Sequence, residues 1–400
     1  MQKTPKANRD HIAIFGKRNA GKSSLMNALI GQQISLVSAV LGTTTDPVEK
    51  TMELLPHGPV VFIDTAGIDD QGILGDLRVK RSLKVLQKTD FALYVLDASA
   101  PDWKGYEEMR DRLDQFQIPH LVVINKSELV NETQRQSLSD CCPGAQFISA
   151  KKEIGILELK DSLIRCLQAQ QKEKPILGDL LPSGSTVLLI VPVDSEAPKG
   201  RLILPQVQVI RDCLDHGIRC LVCRDTELKQ TLCDHPKIDL AVTDSQAFHF
   251  VSETLPDLIP LTGFSTLFAR HKGDLPLFVE GINALAQLDE NSRILIAESC
   301  THNHSHEDIG RVKIPKLLRE NTGKDLQFTF TMGHDFPEDL ADFDFIIHCG
   351  SCMLNEKTMR FRLNQCRALE LPITNYGILL ASLNGILPKS LEIFPMIETK

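Results

Sequence analysis

HIAIFGKRNAGKSSLMNALIG, residues 11–31, is the segment from which the fold of the first domain follows. It contains a short apolar strand, a glycine-containing loop and the start of a helix, and the loop matches the phosphate-binding pattern G-x-x-x-x-G-K-[ST]. In such a loop, backbone N–H groups surround phosphate, the lysine reaches the outer phosphates and the hydroxyl binds Mg²⁺. The flanking strand and helix favour this interpretation over a chance glycine-rich turn. The predicted contacts are Gly16, Ala20, Gly21, Lys22, Ser23 and Ser24.

Three groups of apolar strands separated by helix-like segments run along the chain. The first group continues with PVVFIDTAG, FALYVLDAS and HLVVINKS, the second has STVLLIVPV, IRCLVCRD and IDLAVTDS, and the third has RILIAES, QFTFTMG, FDFIIHCG and LPITNYG. Alternating strands and helices predict mostly parallel sheets flanked by helices. We therefore expect an α/β protein of three domains: a P-loop domain with a parallel sheet (8–172), a small α/β domain of three strand–helix units (180–268) and a further α/β domain (272–400).

Composition limits the partners of the chain. Its 400 residues suffice for two or three domains, and the net charge of −8 argues against sequence-independent binding of nucleic acid. The longest apolar run, TVLLIVPV, has the length of a strand, and no apolar region follows the charged segment MQKTPKANRD. We expect a cytoplasmic protein without a membrane or nucleic-acid partner, whose eleven cysteines are reduced thiols or metal ligands.

Four more short motifs follow the P-loop in order: GTTTD, DTAG, NKSE and SAK. Asp64 of DTAG comes directly after an apolar strand, at the sheet edge where phosphate ligands bind, and could hold Mg²⁺. The N–H of Gly67 would face the γ-phosphate, and a threonine of GTTTD could close over the metal. Each motif is a weak signal alone, but five in this order, near strand ends, indicate a guanine-nucleotide site.

These motifs resemble those of the TrmE–Era class of GTPases. The resemblance implies that Thr44, with Ser23, binds Mg²⁺ and that GTP or GDP is the ligand. It also implies that Asn125, Lys126 and Glu128 recognise guanine, with Ser149, Ala150 and Lys151 behind the base; the sequence departs from the class in having glutamate rather than aspartate at position 128.

The same resemblance bears on catalysis. Ile68 stands where other GTPases place a water-orienting glutamine, and Asn19 corresponds to a residue that helps to hold K⁺. A slow GTPase stimulated by K⁺ is expected, with Lys22, Asn19, Thr44, Asp64 and Gly67 as the catalytic group. Asn19 could instead be a loop residue that tolerates an unusual turn.

A second constellation lies in the third domain. Cys300 ends the strand pattern RILIAES and is followed by His302, and a later strand runs into His348, Cys349 and Cys352. If the two strands are neighbours, the three cysteines converge on one crevice. Three thiolates and a histidine suit Zn²⁺, whereas three thiolates alone suit an iron–sulfur cluster, and the ligand count leaves both open.

The other C-x-x-C pair, Cys220 and Cys223, lies within a strand pattern, so its side chains point to opposite faces and we interpret them as core thiols.

The pattern C-x-H, then 45 residues, then H-C-x-x-C, downstream of a P-loop domain, resembles the HydF family of [FeFe]-hydrogenase maturation GTPases. The resemblance implies that Cys300, Cys349 and Cys352 ligate a [4Fe–4S] cluster in the third domain, with His302 or His348 as a possible fourth ligand. It further implies a transient two-iron subcluster delivered to apo-[FeFe]-hydrogenase, radical-SAM maturases as partners, and a middle domain that forms a homodimer or a larger oligomer. A TrmE/Era-like, RNA-related GTPase with a structural zinc site is the alternative.

Overall fold

The computed structural model describes residues 9–31, 48–65, 75–170, 174–193, 200, 202–299, 308–333, 335–337, 339–351 and 354–395. The chain forms two compact units, Met1–Lys172 and Glu173–Lys400. No helix within the described ranges is both long and apolar enough to cross a bilayer.

Unit 1 contains a six-stranded sheet. In spatial order its strands are β2 (Val48–Leu54), β3 (Gly58–Asp64), β1 (Asp10–Phe15), β4 (Phe91–Asp97), β5 (His120–Asn125) and β6 (Gln146–Phe147). All neighbouring pairs are parallel except β2 with β3. The helices are α1 (Lys22–Ile30), α2 (Gly75–Lys88), α3 (Trp103–Gln115), α4 (Glu132–Cys141) and α5 (Ile156–Gln170).

Alternating side chains of the central strands form the two cores of unit 1. Ile12 and Ile14 of β1 pack on one face of the sheet, whereas Ala13 and Phe15 pack on the other. Burial on both faces explains why these strands appear in the sequence as continuous apolar runs. The parallel arrangement brings the carboxyl ends of β1, β3, β4 and β5 to one edge of the sheet. β2 was not predicted, because this strand at the sheet margin carries three charged side chains and has no apolar run.

Unit 2 contains two four-stranded parallel sheets. The first has the order β10 (Leu261–Gly263), β9 (Leu240–Thr243), β7 (Thr186–Ile190) and β8 (Arg219–Cys223). Its helices are α6 (Leu204–Asp215), α7 (Leu228–Asp234), α8 (Phe248–Thr254) and α9 (Phe264–His271). The sequence predicted three strand–helix units here, and this number is wrong. The fourth strand, β10, has three residues, too few for a recognisable apolar pattern.

The second sheet has the order β12 (Gln327–Met332), β11 (Arg293–Glu298), β13 (Phe345–His348) and β14 (Ile373–Asn375). The remaining helices of unit 2 are α10 (Leu275–Ile282), α11 (Ile314–Thr322), α12 (Glu356–Ala368), α13 (Tyr376–Leu383) and α14 (Leu387–Leu391). Both sheets of unit 2 have the same topology, in which the first strand along the chain lies between the second and the third. In open parallel sheets, ligands bind outside the carboxyl ends of the strands at this point of reversal.

The two sheets of unit 2 share one hydrophobic core. It includes Val187 and Leu189 of β7 together with Leu295 of β11 and Ile346 of β13. Helix α10 lies close to β14, where a Cβ added to Gly281 would come within 2.2 Å of the carbonyl oxygen of Ile373. The two sheets are therefore packed into one body rather than joined by a linker.

Candidate functional site

The P-loop of unit 1 depends on two glycines with positive φ. Gly16 follows β1 with φ 137°, and a Cβ there would lie 2.3 Å from the carbonyl oxygen of Val95. Gly21 has φ 95°, and its Cβ would lie 2.2 Å from Nδ2 of Asn125. Gly21 precedes α1 without a capping side chain, so the helix N-terminus can offer its N–H groups to phosphate.

Lys22 and Ser23 begin α1 beside this loop. The Lys22 side chain is buried, and its Nζ donates to the carbonyl oxygens of Gly16 and Lys17, the second at 3.2 Å. The Ser23 hydroxyl donates to Oδ2 of Asp64 at 2.6 Å, and Asp64 ends β3. The two side chains that the sequence predicts for Mg²⁺ in the described residues are thus in direct contact.

Asn125 connects two loops of the nucleotide site. Its side chain is 3% exposed; Nδ2 donates to the carbonyl oxygen of Ala20 at 2.9 Å, and Oδ1 accepts from the N–H of Ala150 at 3.0 Å. The sequence predicts that Asn125 contacts guanine. The structure adds a positioning role, because the same amide holds the P-loop and the SAK loop together.

Lys126 pairs with a carboxylate that the sequence interpretation missed. Lys126 has φ 61°, and its Nζ donates to Oδ2 of Asp97 at 2.5 Å. Burial raises the pKa of Asp97, but hydrogen bonds from Lys126 and Ser99 outweigh it and hold the pKa below the ordinary aspartate value. Asp97 stays ionised and fixes the lysine. Its position at the end of β4, beside β5, is the signal that could have identified it.

Glu128 lies in the short 3₁₀ helix Ser127–Leu129, next to the SAK loop. A hydrogen bond from Ser149 lowers the pKa of Glu128, so this carboxylate is ionised at neutral pH. Its Oε2 is buried and accepts no hydrogen bond from any described residue. A buried carboxylate oxygen of this kind is an acceptor for N–H donors, and guanine presents such donors.

The remaining predicted nucleotide contacts differ in their placement. Asn19 is exposed and has φ 65°, a left-handed conformation that asparagine tolerates. Asparagine therefore suits the backbone of this turn, whether or not its side chain also binds an ion. Ser24 and Lys151 are exposed, and Ala20, Ser149 and Ala150 are buried. Thr44, Gly67 and Ile68 lie outside the described residues.

The second candidate site lies at the carboxyl ends of β11 and β13. These strands pair in parallel, with Ala297 opposite His348, so the neighbour relation on which the cysteine prediction depends is present. The N–H of Ser299 donates to Sγ of Cys349 at 3.0 Å, and the Ser299 hydroxyl lies 2.6 Å from the same sulfur. Ser299 is the residue before Cys300. The backbone leading to Cys300 thus runs directly beside the Cys349 side chain.

His348 is completely buried, and both its ring nitrogens are in contact with other groups. Nε2 lies 2.8 Å from Nη1 of Arg362, and Nδ1 lies 2.9 Å from the carbonyl oxygen of Cys349 and 3.1 Å from the Ser351 hydroxyl. Burial and then the charge of Arg362 lower the pKa of His348 to about 3, so the ring is neutral. Of the two candidates for a fourth ligand, His348 is positioned to support the turn, and His302 lies outside the described residues.

The turn after Cys349 has an unusual backbone. Ser351 has φ 56°, a left-handed conformation that is rare for serine, and is 5% exposed. Its hydroxyl contacts the His348 ring and lies 3.1 Å from Sδ of Met359. Such a conformation persists only where its surroundings impose it, and it concentrates at functional sites.

Glu298 is the last residue of β11 and directly precedes Ser299. It is 4% exposed, accepts from the Tyr376 hydroxyl at 3.2 Å and lies 3.5 Å from Nε of Arg311. Burial, and then the neighbouring Cys349 and Glu298, raises the pKa of Tyr376, which therefore remains a proton donor. The glutamate is held by these two groups.

The other cysteine predictions have different outcomes. Cys300 and Cys352 lie outside the described residues, and within the described ranges no group of three or more His, Cys, Asp or Glu residues could hold a metal ion. The three-cysteine site stays a prediction. The prediction for Cys220 and Cys223 is confirmed: Cys220 packs against the core on one face of its sheet and Cys223 belongs to the core on the other.

Models of protein families match three consecutive parts of the chain. Residues 11–126 match a model described as 50S ribosome-binding GTPase, residues 176–273 match the hydrogen maturase F dimerization domain, and residues 276–393 match the hydrogen maturase F tetramerization domain. The two hydrogen maturase F models together account for more than half of the chain. The chain belongs to the hydrogen maturase F (HydF) family. The part predicted to bind a cluster thus matches a domain described by oligomerization, and its cluster binding stays a prediction.

Individual relatives match the GTPase part. GTPase Der of Wolinella succinogenes is 43% identical over 121 residues, which are 30% of this chain and 26% of that protein. An uncharacterized protein of Methanocaldococcus jannaschii is 34% identical over 177 residues, 39% of this chain and 96% of that protein. The chain spans about a quarter of the length of its Der relative. A solved structure of Era from Aquifex aeolicus with GDP and AlF₄⁻ is 20% identical, covers 54% of this chain and 93% of its own, and has a TM-score of 0.33.

Proposed function

We propose that this HydF-family chain is a GTP-hydrolysing scaffold and carrier that matures [FeFe]-hydrogenase. In this proposal, unit 1 binds and hydrolyses GTP, and unit 2 binds a [4Fe–4S] cluster and carries a two-iron subcluster as cargo. The family membership and the GTPase domain support the general role. The finer parts of the proposal rest on the geometry of the two candidate sites.

In the nucleotide site, we assign the phosphates to the P-loop and Lys22, and Mg²⁺ to Ser23, Asp64 and Thr44. Guanine contacts Glu128, whose buried Oε2 accepts no hydrogen bond from a described residue. Hydrolysis is slow because Ile68 cannot orient water, and Asn19 would help to hold a K⁺ ion, which would supply the positive charge that an arginine supplies in other GTPases. The SAK loop, held by Asn125, closes the base side of the site.

In the cysteine site, the observation that carries the proposal is the contact between Ser299 and the Cys349 sulfur. Cys300 is the next residue in the sequence, and the strands that precede Cys300 and Cys349, β11 and β13, pair in parallel. N–H and O–H donors directed at a cysteine sulfur suit a thiolate that ligates a metal. The described residues therefore fit a thiolate-bound cluster.

We assign Cys300, Cys349 and Cys352 as the three ligands of that cluster. Three thiolates leave one iron of a [4Fe–4S] cluster without a cysteine ligand, and that iron can accept a further group when the cluster is bound. The two-iron subcluster is the cargo, radical-SAM maturases are the partners that supply it, and apo-[FeFe]-hydrogenase receives it.

The edge strand β8 supports a homodimer. Among the strands that the structure describes it has one neighbour, β7, and an unpaired strand edge is a template for pairing with another chain. Exposed apolar side chains lie beside this edge: Leu214 of α6 is 65% exposed and Val222 of β8 is 50% exposed. We propose that β8 pairs with β8 of a second copy, while the part matched by the tetramerization model extends the assembly.

Anaerobic reconstitution with iron and sulfide tests the function. We expect the purified chain to bind four irons per protomer, to show an EPR signal after reduction, and to activate apo-hydrogenase once loaded with the two-iron cargo. The same chain treated with Zn²⁺ alone provides the comparison. Tight zinc binding with no uptake of iron and sulfide would refute the carrier role and leave a zinc-stabilised GTPase.

A further inference from the structure

Arg362 is the largest of the side chains that are buried almost completely in the described residues. It lies on α12, is 1% exposed and makes no ion pair with a carboxylate in the described part of the chain. Its guanidinium instead donates to Nε2 of His348 at 2.8 Å and to the carbonyl oxygen of Gly333 at 3.1 Å, and lies 4.7 Å from the ring centre of Phe336. Burying a cation without an anionic partner is costly, so its position requires an explanation.

Two groups near Arg362 can carry a negative charge, the thiol of Cys349 and the carboxylate of Asp335. Burial lowers the pKa of Arg362 to about 10, whereas the neighbouring Cys349, followed by Asp335 and Cys366, acts in the opposite direction. An arginine guanidinium is protonated at neutral pH. Its natural counter-ion is the thiolate of Cys349, a negative charge that exists when this sulfur binds a metal.

Arg362 also determines the state of His348. Arginine has no acceptor, so Nε2 of His348 must accept from it, and the single ring proton must lie on Nδ1. That Nδ1–H points to the carbonyl oxygen of Cys349 at 2.9 Å and to the Ser351 hydroxyl at 3.1 Å. The arginine thus fixes, through one histidine, the backbone of the turn that presents the Cys349 sulfur.

We propose that Arg362 is the internal counter-ion and positioning residue of an anionic, thiolate-ligated metal centre at Cys349. Its positive charge offsets the excess negative charge of the thiolates, and its hydrogen bond to His348 sets the geometry of the turn. This inference rests on the proposed cluster-carrier function and extends it to Arg362, a residue of helix α12. Sequence inspection did not single out Arg362, because an arginine in a polar helix usually faces solvent.

Two variants separate the charge from the geometry. Arg362→Gln removes the charge but keeps one N–H donor for His348, whereas Arg362→Lys keeps the charge but cannot reproduce both hydrogen bonds of the guanidinium. Arg360→Gln is the matched control, because Arg360 lies on the same helix, its side chain is 66% exposed and it pairs with Glu356 at the surface. Circular dichroism of each apo-protein checks that it folds.

The measurements are the iron retained against a chelator and the midpoint potential of the reconstituted cluster. We expect Arg362→Gln to retain iron roughly 10- to 100-fold more weakly and to shift the midpoint potential to a more negative value, because loss of a nearby positive charge disfavours the reduced, more anionic state. Arg362→Lys should retain iron more weakly but keep the wild-type midpoint potential. If the glutamine variant does not fold, this variant alone tests whether the charge of residue 362 sets the potential.

Two results would overturn the proposal in different ways. A wild-type chain that takes up no iron and sulfide refutes the carrier function and this inference together. A wild-type chain that takes up a cluster, with both Arg362 variants equal to wild type and to Arg360→Gln in iron retention and potential, refutes only the role of Arg362.

Discussion

The substitution Glu128→Gln should weaken guanine-nucleotide binding without unfolding the site. In the structure, Ser149 donates a hydrogen bond to the Glu128 carboxylate, and the other oxygen, Oε2, is buried without a described partner. Glutamine has almost the same shape and can still accept from Ser149. It would place an NH₂ group where Oε2 now lies, facing the N–H donors of guanine.

The loss of binding free energy for GDP can be estimated from these contacts. A hydrogen bond to a charged group contributes about 1.5–3 kcal/mol, and two donors facing each other across a buried contact add a penalty. A total of ~3 kcal/mol corresponds to a Kd for GDP that is roughly 100-fold higher. Because hydrogen bonding lowers the pKa of Glu128, the wild-type carboxylate is ionised throughout neutral pH, so no pH dependence should hide the effect.

Titration with a fluorescent GDP analogue measures this change, with GTP and ATP as competitors. Glu132→Gln is the matched control, since Glu132 is an exposed carboxylate in the first turn of α4, four residues further along the chain. The control should bind GDP as wild type does. If Glu128→Gln binds GDP as tightly as the control, Glu128 does not recognise the base.

Three further predictions concern catalysis, the cysteine turn and the packing of unit 2. GTP turnover should be faster in K⁺ than in Na⁺. The variant Asn19→Gly, in which glycine tolerates the same φ of 65°, should abolish this difference. Equal wild-type rates in both salts would exclude a role for K⁺ in hydrolysis. Ser351→Ala should destabilise unit 2 against urea by about 1 kcal/mol more than Ser351→Gly, because only glycine adopts φ 56° without strain; equal losses would show that the backbone is not strained. In Gly281→Val, the added Cβ would press on the Ile373 carbonyl. Amide hydrogen exchange should become faster in both β7 and β11 of unit 2 and stay unchanged in β1 of unit 1. Faster exchange in β11 alone would argue against one shared core.

The sequence was sufficient for the parts of the fold that depend on local patterns. The central strands of both units are buried on both faces, so each appears as an apolar run, and the P-loop glycines are recognisable because their spacing follows from a fixed backbone shape. Strand β10 has three residues, and β2 carries charged side chains at a sheet margin. Neither has the length or the pattern on which such an interpretation depends.

The sequence predicted which residue types form the candidate sites, but not which of these residues contact one another in the folded chain. The sequence placed Cys349 at the end of a strand, but the order of strands is a long-range property, and only the structure shows that β11 is the neighbour of β13. Arg362 comes fourteen residues after His348, and nothing local indicates that it turns inward to meet that ring. Asn125 was interpreted as a base contact, whereas its bonds to two separate loops required the folded chain.

The cluster assignment is tested most directly by replacing the cysteines one at a time. Cys300→Ser, Cys349→Ser and Cys352→Ser are compared with Cys233→Ser, an exposed thiol of the middle domain, and each protein is reconstituted anaerobically and assayed for iron and sulfide. We expect each of the three site variants to lose most of the bound cluster and the control to retain wild-type content. Wild-type content in Cys300→Ser would contradict the account, because the thiol that follows Ser299 in the sequence would then not be a ligand.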